Sequence, residues 1–321
     1  MTTYSKQKLP FISIIIPSYN GYLMLKRFLP AYKFIKYPKE RREIIVIDDG
    51  SVDESVAYIR KNFPEVRLIS YQKNRGQPHA MNEGIKTAKG EILFLVNNDV
   101  KVQKDAFLIA TQFLSSHPEV GLLSGRIYNL DLKPGEGKIY NPGFKINRYL
   151  AFTGYDLSSF NRIRECDWLP TTALFVKKEV FDNAGLFVEK PRFGEDGDLS
   201  LRANLAGYKV IHHPKLIFWH SQGTIFRVPD AKGLDYRKTY QNRDYRYFEG
   251  KFYLILKFST PFQIFSSILL QFSLMPLYNL VVLRNNTLLP MFKAARDTLF
   301  SLNEILNDRR HLGHITKRKF E

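Results

Sequence analysis

Two apolar runs about fifty residues apart stop abruptly on carboxylates and amides: IIVIDDGS at residues 44–51 and ILFLVNND at residues 92–99. A continuous apolar run without polar alternation reads as a strand buried on both faces. Such strands need a parallel sheet with helices packed over it. Open sheets of this kind bind ligands in the crevice beyond the carboxyl ends of the strands. Asp48, Asp49, Asn97 and Asp99 are therefore expected to face one site. Acidic groups gathered at such a crevice point to a divalent cation and a phosphorylated ligand.

Strand and helix signals alternate along the first two hundred residues. Phe11–Ile16 reads as a strand that ends in Pro17-Ser18-Tyr19-Asn20, and Tyr22–Ile35 has helical spacing that Pro30 must kink or restart. Glu43–Ile47 is the second strand. Ser51 is expected to open the next helix, with Glu54 completing a capping box. Val66–Tyr71, Glu91–Val96 and Gly121–Tyr128 read as further strands. Helices over Pro78–Ala88, stopped by Gly90, and Asp105–Ser115 separate them. The alternation implies βαβ units in an α/β fold with a mostly parallel central sheet. Residues 131–165, rich in Gly, Pro, Asn and aromatics, are expected to form a hairpin or a long loop that touches the ligand. Ala173–Val176 is another strand, followed by a short helix to Gly185. A helix is expected to start near Asp198 and end at Gly207, with a strand through Ile211.

The 321 residues suit one large domain with an appendage, here divided into 1–225 and a helical extension, 226–321. A content of 44% hydrophobic and 25% charged residues excludes a disordered chain. The one cysteine, Cys166, excludes an intrachain disulfide and reads as a core thiol in a reducing compartment. The N-terminal MTTYSKQKLPFISIII lacks a signal-peptide layout, so a cytoplasmic protein is expected. Net charge is +17, which fits a nucleic acid, or an anionic membrane and phosphorylated substrates. Its distribution discriminates. From Ile225 onward there are 16 Lys/Arg against 8 Asp/Glu, in the most apolar part of the chain. Basic and apolar together favour a membrane surface and argue against nucleic acid.

Each acidic motif also has a plain structural reading. A carboxylate at a strand end is often a helix N-cap, as for Asp48 or Asp49. Asn97-Asn98-Asp99 makes an acceptable polar turn. Glu195-Asp196 before a helix complements its dipole. Their order and spacing carry more than any one alone. SIIIPSYN (13–20), IIVIDDGS (44–51), NRGQPHAMNEGIKTAKGE (74–91), LVNND (95–99) and GEDGDLSLRA (194–203) resemble family 2 glycosyltransferases with the GT-A nucleotide-sugar fold. The resemblance covers roughly residues 10–225, and the basic apolar tail looks most like the bacterial rhamnosyltransferase-type branch.

The resemblance implies roles residue by residue. Pro17, Tyr19 and Asn20 would lie near the nucleobase and ribose, and Asp49 would hydrogen-bond the uracil or thymine ring. Asn74 and Gly76 match the loop beside the nucleotide. Asn97, Asn98 and Asp99 fill the family's Asp-x-Asp, with Asn in place of the first Asp, so Asp99 is the expected metal ligand. Asp196 matches the general base, next to Glu195 in the donor site. His220, placed after the last strand, matches a histidine that reaches the metal or diphosphate in some members. The chemistry agrees. A departing nucleoside diphosphate carries heavy negative charge, which Mg²⁺ or Mn²⁺ offsets. One base without a covalent nucleophile means single displacement with inversion. His79 is expected to be a surface histidine at a helix start, and His212-His213 structural.

Phe258–Leu283 has no charged residue and is long enough to span a bilayer. Its Ser, Thr, Gln and Asn content and Pro276 favour helices lying in the interface over a span; a buried hairpin is the bland alternative. Lys251, Lys257, Arg284, Lys293, Arg309, Arg310, Lys317, Arg318 and Lys319 would meet anionic headgroups. Phe292, Ala295, Leu299, Leu302, Ile305 and Leu306 are expected to share one face of an amphipathic helix. Gln241-Asn242-Arg243-Asp244-Tyr245 does not match the Gln-x-x-Arg-Trp signature of processive synthases, so single additions are expected. These readings converge on an inverting, metal-dependent transferase. It would be peripheral on the inner face of the cytoplasmic membrane and move a sugar from a UDP- or dTDP-sugar to a glycan or lipid-linked glycan. The rival readings are transfer to polyprenyl phosphate and a non-catalytic basic module that binds nucleic acid.

Overall fold

The computed structural model describes residues 9–130, 139–141, 143–146, 153–155, 161–189, 194–221, 243–269, 272 and 288–315. The chain begins with β1 (Ile12–Ser18), α1 (Tyr22–Phe28), β2 (Arg42–Asp48), α2 (Ser55–Asn62), β3 (Arg67–Ser70), α3 (Gln77–Thr87) and β4 (Ile92–Val96). It continues with β5 (Val100–Val102), α4 (Ala106–Ser116), β6 (Val120–Asn129), β7 (Ile139–Asn141), β8 (Phe144–Ile146), β9 (Thr153–Tyr155) and β10 (Arg164–Cys166). Then follow β11 (Ala173–Lys177), α5 (Glu179–Ala184), α6 (Glu195–Leu205) and β12 (Lys209–His220). Beyond them come α7 (Arg243–Phe258), α8 (residues 261–269), α9 (Leu288–Phe300) and α10 (Leu302–His311).

The main sheet runs β10-β12-β6-β11-β4-β1-β2-β3, with β5 on β12 and β7 on β6. Pairing is parallel from β4 through β1 and β2 to β3, and again between β6 and β12. Strand β11 runs against both β4 and β6. Every residue of β1 and β4 is buried, as their unbroken apolar runs require. One cluster holds Phe94, Phe107, Phe175 and Phe218, with Phe94 stacked on Phe175 at 4.4 Å between ring centroids. The other side is covered by α3, α5 and α6 through Met81, Ile85, Val180, Leu199 and Ala203. Cys166 belongs to that cluster, and burial pushes its thiol up to about 11.

Several boundaries differ from the sequence reading. Pro30 does restart the first helix, as a 3₁₀ segment over Leu29–Phe34. The capping box does not form. Ser51 stays in the turn, its N–H donating to Asp48 Oδ2, and α2 starts only at Ser55. Helix α6 starts at Glu195 instead of Asp198, which places both acidic residues in its first turn. Strand β12 does not stop at Ile211. It is irregular between His212 and Ile217, around Pro214, and resumes to end at His220, so His220 closes the strand. Part of 131–165 does form hairpin structure, with β8 antiparallel to β9.

The C-terminal helices pack on α6. Leu254 of α7 lies against Gly197, where an added Cβ would sit 2.9 Å from Trp168 and 3.0 Å from Leu254. Buried Asp198 accepts from Arg202 Nε at 2.7 Å and from Lys257 Nζ at 2.5 Å. Lys257 also donates to Tyr253 Oη, which donates to Asp308 of α10. Lys257 thus leaves the set expected to face lipid headgroups. A buried ammonium needs a carboxylate, and one was in reach. Arg309 is likewise diverted to the carbonyls of Leu256 and Ser259. The expected amphipathic face is split: Ile305 is buried and Ala295 packs inward, but the rest does not follow. Met291 and Ala294 turn inward on Phe248 and Phe252, while Phe292 and Leu299 are exposed. Among the described residues no helix is long and apolar enough to cross a membrane. Gln241-Asn242, most of 270–287, Lys317, Arg318 and Lys319 lie outside the described residues.

Candidate active site

Because β1 to β4 run parallel, their carboxyl ends share one edge, and hydrogen bonds lock those ends together. Asp49 N–H donates to Ser18 O at 2.8 Å, and Tyr71 N–H to Asp48 O at 2.9 Å. Asn20 takes a left-handed conformation, φ 47°, which a short amide side chain tolerates. Its N–H donates to Ser51 Oγ, and its Oδ1 accepts from Val52 N–H at 2.9 Å. Pro17 is buried in β1 opposite Ile47, whereas Tyr19 projects outward.

The two aspartates at the end of β2 make different contacts. Asp48 Oδ2 accepts from Ser51 N–H and Ser70 Oγ, so it fixes the turn and the neighbouring strand. Asp49 accepts from Arg75 N–H at 3.0 Å and from Gly76 N–H at 2.8 Å, which pins the 72–76 loop over the strand end. Gly50, at φ 81°, allows this approach, since an added Cβ would lie 2.7 Å from the Lys73 carbonyl carbon. Gly50→Ala is expected to cost roughly 2 kcal/mol of stability. It should also weaken nucleotide binding, as denaturation curves and a nucleotide titration would report. Asn74 is exposed in the pinned loop.

The next residues close the edge from the β4 side. Asn97 Oδ1 accepts from Gln77 Nε2 at 3.1 Å, and Asn98 Nδ2 donates to Ser18 Oγ at 3.0 Å. Asp99 is buried, with Oδ1 3.1 Å from His220 Nε2. Strand β5 pairs Val100 with His220, which is what holds the two side chains together. Among the described residues, no group of three or more His, Cys, Asp or Glu could hold a metal ion. The Asp99–His220 pair nevertheless fits one. Two adjacent ligands, each about 2.1 Å from an ion, sit about 3 Å apart. A Mg²⁺ or Mn²⁺ bound through one or two protein groups normally completes its shell with phosphate oxygens and water.

Glu195 and Asp196 open α6, after Gly194 in a left-handed turn. Both are half-buried. Burial, and then the charge of Asp196, pushes the Glu195 carboxyl up to about 7; burial pushes Asp196 up to about 6. Asp196 Oδ1 accepts from Gly197 N–H at 2.8 Å. The segment 168–172 links this helix to the strand edge. Trp168 packs on Gly197 and Leu169 N–H donates to Ser200 Oγ, while Thr172 O accepts from Asn97 N–H.

One cluster escaped the sequence reading. His79 is buried, and its Nδ1 lies 2.9 Å from Glu189 Oε2. Asn82 donates to Glu189 Oε1 and exchanges two hydrogen bonds with the Phe187 backbone. Helix α3, next to the Asp49 loop, therefore holds the segment that leads toward Glu195. The motif was visible at 74–91, but its partner lies more than a hundred residues away. His212 and His213 are buried in β12. A separate cleft of about 590 Å³ lies at the amino ends of β1 and β4, lined by Pro10, Glu91 and Lys177, none of them a residue of the strand-end site.

Comparison with known proteins adds the following. Residues 13–171 match the family model described as Glycosyl transferase family 2. The chain is 27% identical over 215 residues to Glycosyltransferase AglE of Haloferax volcanii, covering 66% of this chain and 67% of that protein. It spans about half to two thirds of the length of the curated relatives it matches. Its fold resembles the mannosyltransferase PcManGT from Pyrobaculum calidifontis, solved with GDP-Man and Mn²⁺. The TM-score is 0.60 at 18% identity, over 95% of this chain and 85% of that one. It also resembles S. aureus TarS 1–349 in complex with UDP-GlcNAc, with a TM-score of 0.58 at 16% identity, over 97% and 94%. The fold is GT-A-like, a mixed α/β sheet with C-terminal helices.

Proposed function

We infer, from the premise that residues 13–171 carry a glycosyltransferase family 2 domain, that this protein moves one sugar with inversion from a UDP- or dTDP-sugar to a glycan acceptor. The observation that carries the reading is the shared edge. Asp49 and Asp99 sit at the carboxyl ends of β2 and β4, and segment 168–172 ties that edge to Asp196. We divide the chain at about residue 225, into a catalytic domain and a helical extension.

In this reading Pro17, Tyr19 and Asn20 form the wall around base and ribose. Asp49 accepts from the ring N–H; a carboxylate has about four lone-pair sites, so the two backbone amides it already holds leave room. Asn74, Gly76 and the Asn97–Asn98 pair complete the donor site. Asp99 and His220 would hold a Mg²⁺ or Mn²⁺, which when bound offsets the charge of the departing nucleoside diphosphate. Asp196 takes the proton of the acceptor hydroxyl as that oxygen attacks the anomeric carbon from the face opposite the diphosphate. Glu195, its neighbour in the donor site, is raised by burial and then by the charge of Asp196, while burial itself raises Asp196. The acceptor we read as a lipid-linked saccharide presented at the cytoplasmic face of an anionic membrane. The resemblance of the tail to rhamnosyltransferase-type enzymes supports a hexose or deoxyhexose as the sugar.

A thermal-shift panel of UDP, dTDP and GDP with and without Mn²⁺ tests this. A nucleotide at a hundredfold excess over its dissociation constant stabilises the fold by about 2.7 kcal/mol. UDP or dTDP is expected to raise the midpoint, and Mn²⁺ to increase the rise. A response to none of the three overturns the reading, and a response to GDP alone overturns the donor.

A further inference from the structure

Helix α9 is apolar on two sides, and α7 covers one of them. Met291 and Ala294 turn inward onto Phe248 and Phe252. Phe292, Leu299 and Phe300 turn outward, with exposed Arg296 between them on the same stripe. Helix α8 repeats the pattern: Phe262, Phe265 and Leu269, at i, i+3 and i+7, all face away from the protein. Exposure of these six apolar residues runs from 54% at Phe292 to 83% at Phe300, so more than half of each is left uncovered. Phe272, three residues beyond Leu269, packs on the inward cluster between α7 and α9, its ring 5.9 Å from that of Phe252 and 5.6 Å from that of Phe292. The exposed side chains amount to several hundred Å², on the order of the patches that mark interaction sites.

Charge identifies what covers this face. Helix α8 carries no charged residue. Two cations accompany the stripe: Lys293 beside it, held 5.3 Å over the Tyr245 ring, and Arg296 within it, which pairs with Asp297 yet keeps a side-chain exposure of 62%. A second copy carries the same net charge of +17 and is repelled as a whole, whereas an anionic lipid surface has the opposite sign. With no described helix able to cross a bilayer, the stripes can lie along it.

We propose that the outward face of α8 and α9 docks flat on an anionic phospholipid surface. Phe262, Phe265, Phe292 and Phe300 enter the boundary between headgroups and acyl chains, and Lys293 and Arg296 meet the phosphates. The proposal rests on the reading of a membrane-presented acceptor, and it specifies the face that meets the lipid.

The test is co-sedimentation of the full chain with vesicles of phosphatidylcholine, with and without phosphatidylglycerol. Three proteins are compared: the parent, Phe262→Ser/Phe265→Ser, and Phe292→Ser/Phe300→Ser. The parent is expected to bind the anionic vesicles, each pair of substitutions to lower the partition coefficient by at least about tenfold, and salt to weaken binding. The nucleotide-induced thermal shift of each variant should match the parent, which separates loss of docking from loss of fold. No vesicle binding by the parent overturns the docking face while a nucleotide response keeps the transferase reading. Undiminished binding by both variants overturns the face. A parent that is dimeric and ignores vesicles, with variants that become monomeric, assigns the face to a second copy and overturns the lipid.

Discussion

Asp196→Asn is expected to lower the rate of sugar transfer by about 10²–10⁴-fold, the usual contribution of a positioned general base. Donor binding should survive, since no nucleotide contact is removed; the thermal shift with UDP or dTDP reports this separately. A variant that keeps full activity would remove Asp196 from the mechanism. The pH profile gives an independent signature. Both carboxyls at the start of α6 are held above the ordinary carboxylate range by burial, Glu195 to about 7 and Asp196 to about 6. They titrate as a pair. The base works only when ionised, so kcat/KM should fall as pH drops through roughly 7 to 6. Stability should move the opposite way. A carboxyl whose folded value is raised binds its proton more tightly in the native state. Its contribution is complete below the ordinary range and is lost as pH rises through about 6 to 7. Activity rising while this part of the stability declines is a pattern that an ordinary surface carboxylate would not produce.

Asp198→Asn is expected to destabilise the protein by about 3–5 kcal/mol, measured by chemical denaturation. Among the described residues, Asp198 is the one carboxylate paired with two buried cations, Arg202 and Lys257. Removing its charge leaves two buried cations without a counter-charge. Lys257→Met should cost less, because Asp198 keeps Arg202, and Arg202 keeps the carbonyls of Gly185 and Leu186. The double variant should cost less than the sum of the two, which a mutant cycle measures. Equal costs for the two single variants, each under about 1 kcal/mol, would mean that the bridge contributes no more than an exposed ion pair.

The strands of the sheet were legible because unbroken apolar runs have few alternatives. β1, β2 and β4 appear within a residue or two of their expected limits. Local signals failed where a distant partner outbid them. Ser51 and Glu54 satisfy the capping pattern, yet Ser51 Oγ is taken by Asn20 N–H, so the helix waits until Ser55. His79 reads as a surface residue at a helix start, but Glu189, 110 positions further along the chain, covers it. Lys257 follows a basic, apolar pattern that suits a headgroup, and a carboxylate 59 positions away draws it inward. The stripe through Phe292 and Leu299 was visible as a periodicity. Which side of the helix faces the protein depends on where Phe248 and Phe252 lie, and spacing within α9 carries no information about that. The placement of Asp49, Asn97 and Asp99 at strand ends was legible for the same reason as the strands. The pairing of Asp99 with His220 needed the register of β5 on β12.

The bridge between Asp198 and Lys257 has a practical consequence for chimeric enzymes. Grafting the C-terminal helices of a relative onto this catalytic portion would strand one half of a buried ion pair two positions from Asp196. A successful exchange must carry position 198 across together with position 257, or replace both with apolar groups of matching volume. Libraries recombined at about residue 225 without that pairing rule should yield mostly chains that express poorly, even where every donor-binding residue is retained.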